Sequence, residues 1–260
     1  MEIVILPDYD AISRLCADII TKTLREKPNA VLLLPTGKTP LGTYRELVKA
    51  NREGRADFSS ASVFALDEYV GFSSNHKHSF ANFLRDNLLA HVNISKKKSH
   101  FLSGVAEDLE GECALYEQRL RKAGGIDLAF LGIGVNGHIG FNEPGSSLGS
   151  RTRIKTLTRE TIEHNCAIFS GDEVPRFALT VGIGTIMEAR KVLLAASGAE
   201  KANAVKLALE GPITSEVPAS ILQMHPNVTC VVDEEAAARL AHKDYYKWVW
   251  ENKWQVQKEH

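Results

Sequence analysis

His138 and Glu143 lie five residues apart in a stretch, Gly132 to Gly145, that holds Gly132, Gly134, Gly137, Gly140 and Gly145 with Asn136 and Asn142 between them. A histidine and a carboxylate on one loop make an acid/base pair, and the glycines allow sharp turns and close approach to a ligand. Upstream, Asp67 and Glu68 follow an apolar run, Ser62–Leu66. Consecutive strand side chains point to opposite faces, so only one of the two carboxylates can meet a given ligand; Asp67 is the expected base. A third group, Thr36, Gly37, Lys38 and Thr39, offers hydroxyls, a glycine and a cation just before a helical pattern. Helix N-termini with these residues hold anions. Lys201, in the first turns of a later helix, is a further anion clamp. The glycine spacing at 132, 134 and 137 also spells a dinucleotide fingerprint. That motif needs a helix directly after it and an acidic residue about twenty positions on. Here Phe-Asn-Glu-Pro-Gly follows, and Arg151, Arg153 and Lys155 make the later region basic. The segment at 36–39 is not the triphosphate-binding pattern either, which needs four residues between a Gly and a Gly-Lys pair.

These residues need strands and helices to place them. Apolar runs at Ile3–Leu6, Val31–Leu34, Ser62–Leu66, Leu128–Leu131, Phe177–Val181, Lys191–Ala196 and Val228–Val232 alternate with amphipathic helical patterns. That alternation predicts an α/β fold, a modified doubly wound (Rossmann-like), mostly parallel sheet flanked by helices in a single domain. Ile12, Leu15, Cys16, Ile19, Ile20 and Leu24 recur at helical spacing. The helix at Leu41–Lys49 takes Thr39 as its N-cap and Pro40 at its first position. Residues 79–91 and 107–122 read as surface helices, 147–158 as a strand or loop, 218–225 as strand and 233–241 as a short helix. The domain is expected to span 1–241, followed by a tail, 242–260, in which Tyr245, Tyr246, Trp248, Trp250 and Trp254 cluster. Such aromatics serve either self-packing or an oligomer contact.

The bulk composition narrows the function classes. Of 260 residues, 44% are apolar and 24% charged, with a net charge of −1; this leaves no electrostatic footprint for nucleic acid or an anionic membrane. Cys16, Cys113, Cys166 and Cys230 lack paired metal or redox spacing, and no apolar run reaches membrane-spanning length. A soluble, cytoplasmic protein is the expectation.

Five stretches carry a family resemblance: Leu34-Pro-Thr-Gly-Lys-Thr-Pro40, Leu66-Asp-Glu-Tyr-Val-Gly71, Gly132-Ile-Gly-Val-Asn-Gly-His-Ile-Gly-Phe-Asn-Glu-Pro-Gly145, Ser150-Arg-Thr-Arg-Ile-Lys-Thr-Leu-Thr158 and Pro218-Ala-Ser-Ile-Leu-Gln223. In this order, and spread over the chain to about residue 235, they resemble the glucosamine-6-phosphate deaminases. The resemblance implies conversion of glucosamine 6-phosphate and water to fructose 6-phosphate and ammonia, with no metal or organic cofactor. It assigns ring opening to His138 with Glu143 and Asn136, proton transfer between C2 and C1 to Asp67, and phosphate binding to Thr36, Gly37, Lys38, Thr39 and Lys201. Ser146, Arg153 and Lys155 match an allosteric site that binds the N-acetylated sugar phosphate in some members. A homo-oligomer is expected, since hexamers and smaller assemblies occur in the family.

The chain departs from the family at three places. Asn136 stands where many members have Asp, Ala167 where the family usually places a phosphate-binding Arg, and Lys38 where glycine is frequent. Lys38 either replaces the missing cation or points to solvent. A galactosamine-6-phosphate deaminase, a 6-phosphogluconolactonase and a non-catalytic sugar-phosphate sensor are the alternatives within the fold.

Overall fold

The computed structural model describes residues 1–169 and 174–256; the side chains at 164, 165, 167, 168 and 254–256 lie outside the described set. Ten strands occur in it: β1 (Glu2–Leu6), β2 (Val31–Leu34), β3 (Ser62–Ala65), β4 (Asp67–Tyr69), β5 (Ser99–His100), β6 (Leu128–Gly132), β7 (Arg153–Thr156), β8 (Phe177–Thr180), β9 (Lys191–Ala196) and β10 (Val228–Asp233). The α-helices are α1 (Tyr9–Glu26), α2 (Pro40–Arg52), α3 (Phe80–Leu84), α4 (Leu109–Lys122), α5 (Arg159–Phe169), α6 (Ile183–Met187), α7 (Ala202–Glu210) and α8 (Lys243–Val256).

Seven strands form a parallel sheet in the order β1-β10-β9-β6-β2-β3-β5. Alternate residues of each central strand enter opposite cores, which is why these strands read as unbroken apolar runs. Val31 and Leu33 of β2 pack with Tyr116 and Leu120 of α4 and Val205 of α7. Leu32 and Leu34 pack on the other face with Ile20 of α1 and Tyr44 and Leu47 of α2. Asp8 caps α1 by accepting the Ala11 N–H at 2.8 Å, and Asp108 caps α4 at Gly111.

The chain leaves β2 toward β3 and β6 toward β9, in opposite directions from neighbouring strands. Such a switch point opens a crevice at the carboxyl ends of the strands, where open α/β sheets bind ligands.

A second sheet, β4-β8-β7, is antiparallel. It is joined to the first at Leu66, whose N–H reaches the Leu34 carbonyl and whose carbonyl accepts from Val181.

Several sequence expectations are corrected. Thr39 has helical dihedrals (φ −57°, ψ −48°) and makes no capping hydrogen bond. Residues 218–225 are not strand: Pro218–Met224 is a 3₁₀ helix, started by a proline at its first position. Residues 234–239 form turns rather than a helix. The 79–91 helix divides into α3 and a π-helical stretch, Arg85–Leu89.

The aromatic tail is largely α8. Its Tyr246 packs on one core and its Trp250 on the other, while Tyr245 and Trp248 stay about 60% exposed (62% and 61%). No helix among the described residues is long and apolar enough to cross a membrane.

Candidate active site

Four neighbouring strands, β9, β6, β2 and β3, deliver the sequence-predicted residues from their carboxyl ends: Lys201, the 133–145 loop, Thr36–Thr39 and Asp67. At the end of β3 the two carboxylates part company. Glu68 is fully engaged: one oxygen accepts the Tyr69 and Phe80 N–H groups at 2.9 Å, the other the Ala81 N–H at 3.0 Å. It therefore ties β4 to the start of α3, and burial brings its carboxyl up to about 7 against those three bonds. Asp67 is buried too, at 6% exposure, but its Oδ1 has no hydrogen-bond partner. Burial first, and the neighbouring Glu68 second, hold the Asp67 carboxyl well above the usual carboxylate range. Two tyrosines from opposite faces of the sheet fix the backbone beside it. Tyr44 donates to the Pro35 carbonyl at 2.5 Å, and Tyr116 to the Ala65 carbonyl at 2.8 Å.

The β6 loop folds back on itself. Gly134 N–H bonds the His138 carbonyl at 2.9 Å, and the imidazole lies over Gly134 so closely that a Cβ there would sit 2.3–2.4 Å from ring atoms. Glycine is required by this approach. His138 Nδ1 is 3.3 Å from Glu143 Oε2, an ion-pair distance without hydrogen-bond alignment. Asn136 ties the pair together. Its Nδ2 donates to Glu143 Oε2 at 3.0 Å and its Oδ1 accepts the His138 N–H at 3.2 Å. Burial resists ionisation of Glu143, yet the neighbouring His138, with Thr161 and Asn136, outweighs it and holds the carboxyl at about 2. Buried Asn142 braces the turn between the two residues, donating to the Ile139 and Val181 carbonyls at 2.8 and 2.9 Å. The loop abuts the Asp67 strand: Phe141 N–H bonds Thr180 Oγ1 at 3.1 Å, and Thr180 is paired with Asp67 across β8 and β4.

At the opposite side of the crevice, Gly37 takes φ +97°, a left-handed conformation that favours glycine. Lys38 and Lys201 come close enough to repel. Burial depresses the Lys201 ammonium below its usual range and Lys38 adds to this, while Glu200 opposes it. Neither lysine has an ion pair within 4.0 Å among the described residues. Two neighbouring ammonium groups beside a helix start carry the charge that attracts an anion.

Arg153 and Lys155 alternate with exposed Ile154 on β7, on the same sheet face as Asp67 and Thr180. Arg153 Nη1 donates to Asn142 Oδ1 at 2.8 Å; its Nη2 and the buried Ser146 hydroxyl have no partner. Ala167 lies in α5, its side chain outside the described set.

Sequence reasoning missed Tyr9, Tyr44, Tyr116 and Asp233. Asp233, at the end of β10, accepts from the Ser197 hydroxyl at 2.5 Å and from Gly198 N–H at 3.1 Å, fixing the loop that carries Lys201. Their only sequence signal is a polar atom on an otherwise apolar inward face.

A family model described as glucosamine-6-phosphate isomerases/6-phosphogluconolactonase matches residues 9–231. The chain is 48% identical over 245 residues to a protein of Thermoanaerobacter pseudethanolicus named glucosamine-6-phosphate deaminase, covering 94% of this chain and 97% of that one. It is 49% identical over 249 residues to a protein of the same name from Mycolicibacterium smegmatis, covering 95% of each. A solved structure described as a monomeric glucosamine-6-phosphate deaminase superposes with a TM-score of 0.90 at 42% identity, over 92% of this chain and 99% of that one.

Proposed function

The chain belongs to the glucosamine-6-phosphate isomerase/6-phosphogluconolactonase family, and from that premise we infer that it works as a glucosamine-6-phosphate deaminase through the residues gathered at the switch point. The reaction converts glucosamine 6-phosphate and water to fructose 6-phosphate and ammonia. We assign the phosphate to Thr36, Gly37, Lys38, Thr39 and Lys201, whose binding energy holds the reacting carbons in place. His138, oriented by Glu143 and Asn136, moves the proton that opens the pyranose ring. Asp67 then takes the C2 proton and returns it at C1. This leaves a C2 iminium, to which water adds as ammonia departs.

The observation that carries this assignment is the contrast at Asp67 and Glu68: one carboxylate is locked by three N–H groups, the other is buried with an oxygen free. A base needs that freedom and an elevated proton affinity. The test is release of ammonia and fructose 6-phosphate from glucosamine 6-phosphate, run beside galactosamine 6-phosphate and a 6-phosphogluconolactone. Asp67→Asn should abolish deamination; a lactonase would survive that change. Turnover of the galacto sugar alone would reject the gluco assignment.

Ser146, Arg153 and Lys155 are proposed as a regulatory site for N-acetylglucosamine 6-phosphate, supported by the unpartnered Arg153 Nη2 and Ser146 hydroxyl. Added effector should lower the KM of the wild type and not of Arg153→Ala. We further place the protein in the cytoplasm, consistent with free cysteines at 16, 113, 166 and 230, and in a homo-oligomer. One chain already gathers every residue assigned to the reaction. Light scattering that returns a single-chain mass would reject the oligomer and leave the chemistry intact.

A further inference from the structure

Helix α2 opens at the anion loop, yet the residue placed to cap it does not. Thr39 is helical and its side chain makes no capping bond. The free N–H of Gly42 is taken instead by the hydroxyl of Tyr9, thirty-three residues earlier, at 2.7 Å. The same hydroxyl donates to the Lys38 carbonyl at 2.9 Å, with the Thr39 carbonyl at 3.1 Å. Gly42 is shaped for this contact, since a Cβ there would stand 3.0 Å from the Tyr9 ring and 2.1 Å from Ser13 Oγ. One phenol from the first turn of α1 thus satisfies the helix start and engages the backbone carbonyls at Lys38 and Thr39.

The exchange of caps favours an anion. A threonine that capped its own helix would spend its oxygen on a backbone N–H; here the Thr39 hydroxyl caps nothing and has no hydrogen-bond partner among the described residues. We propose that Tyr9 is a positioning residue for the substrate phosphate: its hydroxyl does the capping in place of Thr39, leaving the Thr39 hydroxyl, with Lys38 and Lys201, to hold the anion. The proposal rests on the phosphate assignment made above.

The test measures KM and kcat for glucosamine 6-phosphate, and the inhibition constant of inorganic phosphate, in Tyr9→Phe, Thr39→Val, the double variant and Lys201→Ala. Loss of one such hydrogen bond should raise KM and the phosphate inhibition constant by about five- to ten-fold in Tyr9→Phe, with kcat within about two-fold. In the double variant the constant should be no worse than in Thr39→Val, because without Tyr9 the threonine turns to cap Gly42 and is already lost to the anion. A Tyr9→Phe protein that melts earlier but keeps both constants would overturn the proposal and leave Tyr9 a fold contact. Additive losses in the double variant would also overturn it. If Lys201→Ala itself leaves phosphate inhibition unchanged, the phosphate assignment fails, and the role of Tyr9 falls with it.

Discussion

Asp67 must be ionised to act as a base, in a place where burial and Glu68 make ionisation hard. Its raised proton affinity means that the acid limb of kcat/KM should lie above the ordinary Asp value of about 3.9. Below that limb the base is protonated and idle. Asp67→Asn should lower kcat by about 10³-fold, the scale of a lost general base, and a kcat/KM profile with its limb at the ordinary value would count against the assignment. Glu143 is the opposite case. Its folded value, about 2, lies below the unfolded one, so it contributes stability that is present above about 4.3 and is lost as pH falls toward 2. Asn136 protects that arrangement, since it offers an N–H to the Glu143 carboxylate. Asn136→Asp would set two carboxylates within about 3 Å, and the pair would keep one proton to higher pH in the folded state. The folded variant then binds more protons than the unfolded chain above about pH 4, so its stability relative to wild type should fall as pH rises. Melting both proteins at pH 4.5 and 7.5 decides this; a Tm difference that does not widen would show that the asparagine has no such role.

The glycine loop shows what sequence can and cannot deliver at the scale of an element. His138, Glu143 and the switch-point loops were legible because strand–loop–helix punctuation is local and each apolar run ends at its chemistry. The reason for Gly134 was not, because it is the imidazole stacked on it, four residues on. Gly134→Ala should push that ring off rather than break the fold, since the ring is the movable end of a side chain. We expect kcat to drop about 10²-fold with stability changed by less than about 1 kcal/mol; a stable variant with full kcat would mean that the ring position is immaterial. The small sheet was also hidden. No turn signal separates β3 from the three residues of β4, and the apolar run at Phe177 cannot reveal which of two sheets it enters. Residues 233–241 read as a short helix, but the chain makes only turns at 234–239, beginning where the Asp233 carboxylate takes the Ala236 N–H. Tyr9 and Tyr44 act through single hydroxyls on distant or neighbouring backbone, which leaves no periodic trace.

Across the whole molecule, the sheet has an edge at β1, whose one neighbour in the sheet is β10. Exposed edges invite pairing with other chains, and proteins cover them. Here α8 lies on β1, with Tyr246 sealing one core and Trp250 the other, Tyr246 bonded to Glu210 at 3.1 Å and Lys253 paired with Glu2 at 2.6 Å. None of the residues assigned to the reaction belongs to this helix. The division into a catalytic domain, 1–241, and a tail, 242–260, therefore predicts that activity and stability separate. Removing 242–260 takes away the two aromatic side chains that seal the cores, which should cost about 3 kcal/mol and roughly 10 °C in Tm, and it frees an edge that promotes aggregation on warming. At low temperature the truncated chain should keep kcat and KM within about two-fold of the full chain. Loss of turnover in a truncated protein that still melts cooperatively would place part of the active site's support in the tail, and the proposed boundary would have to move.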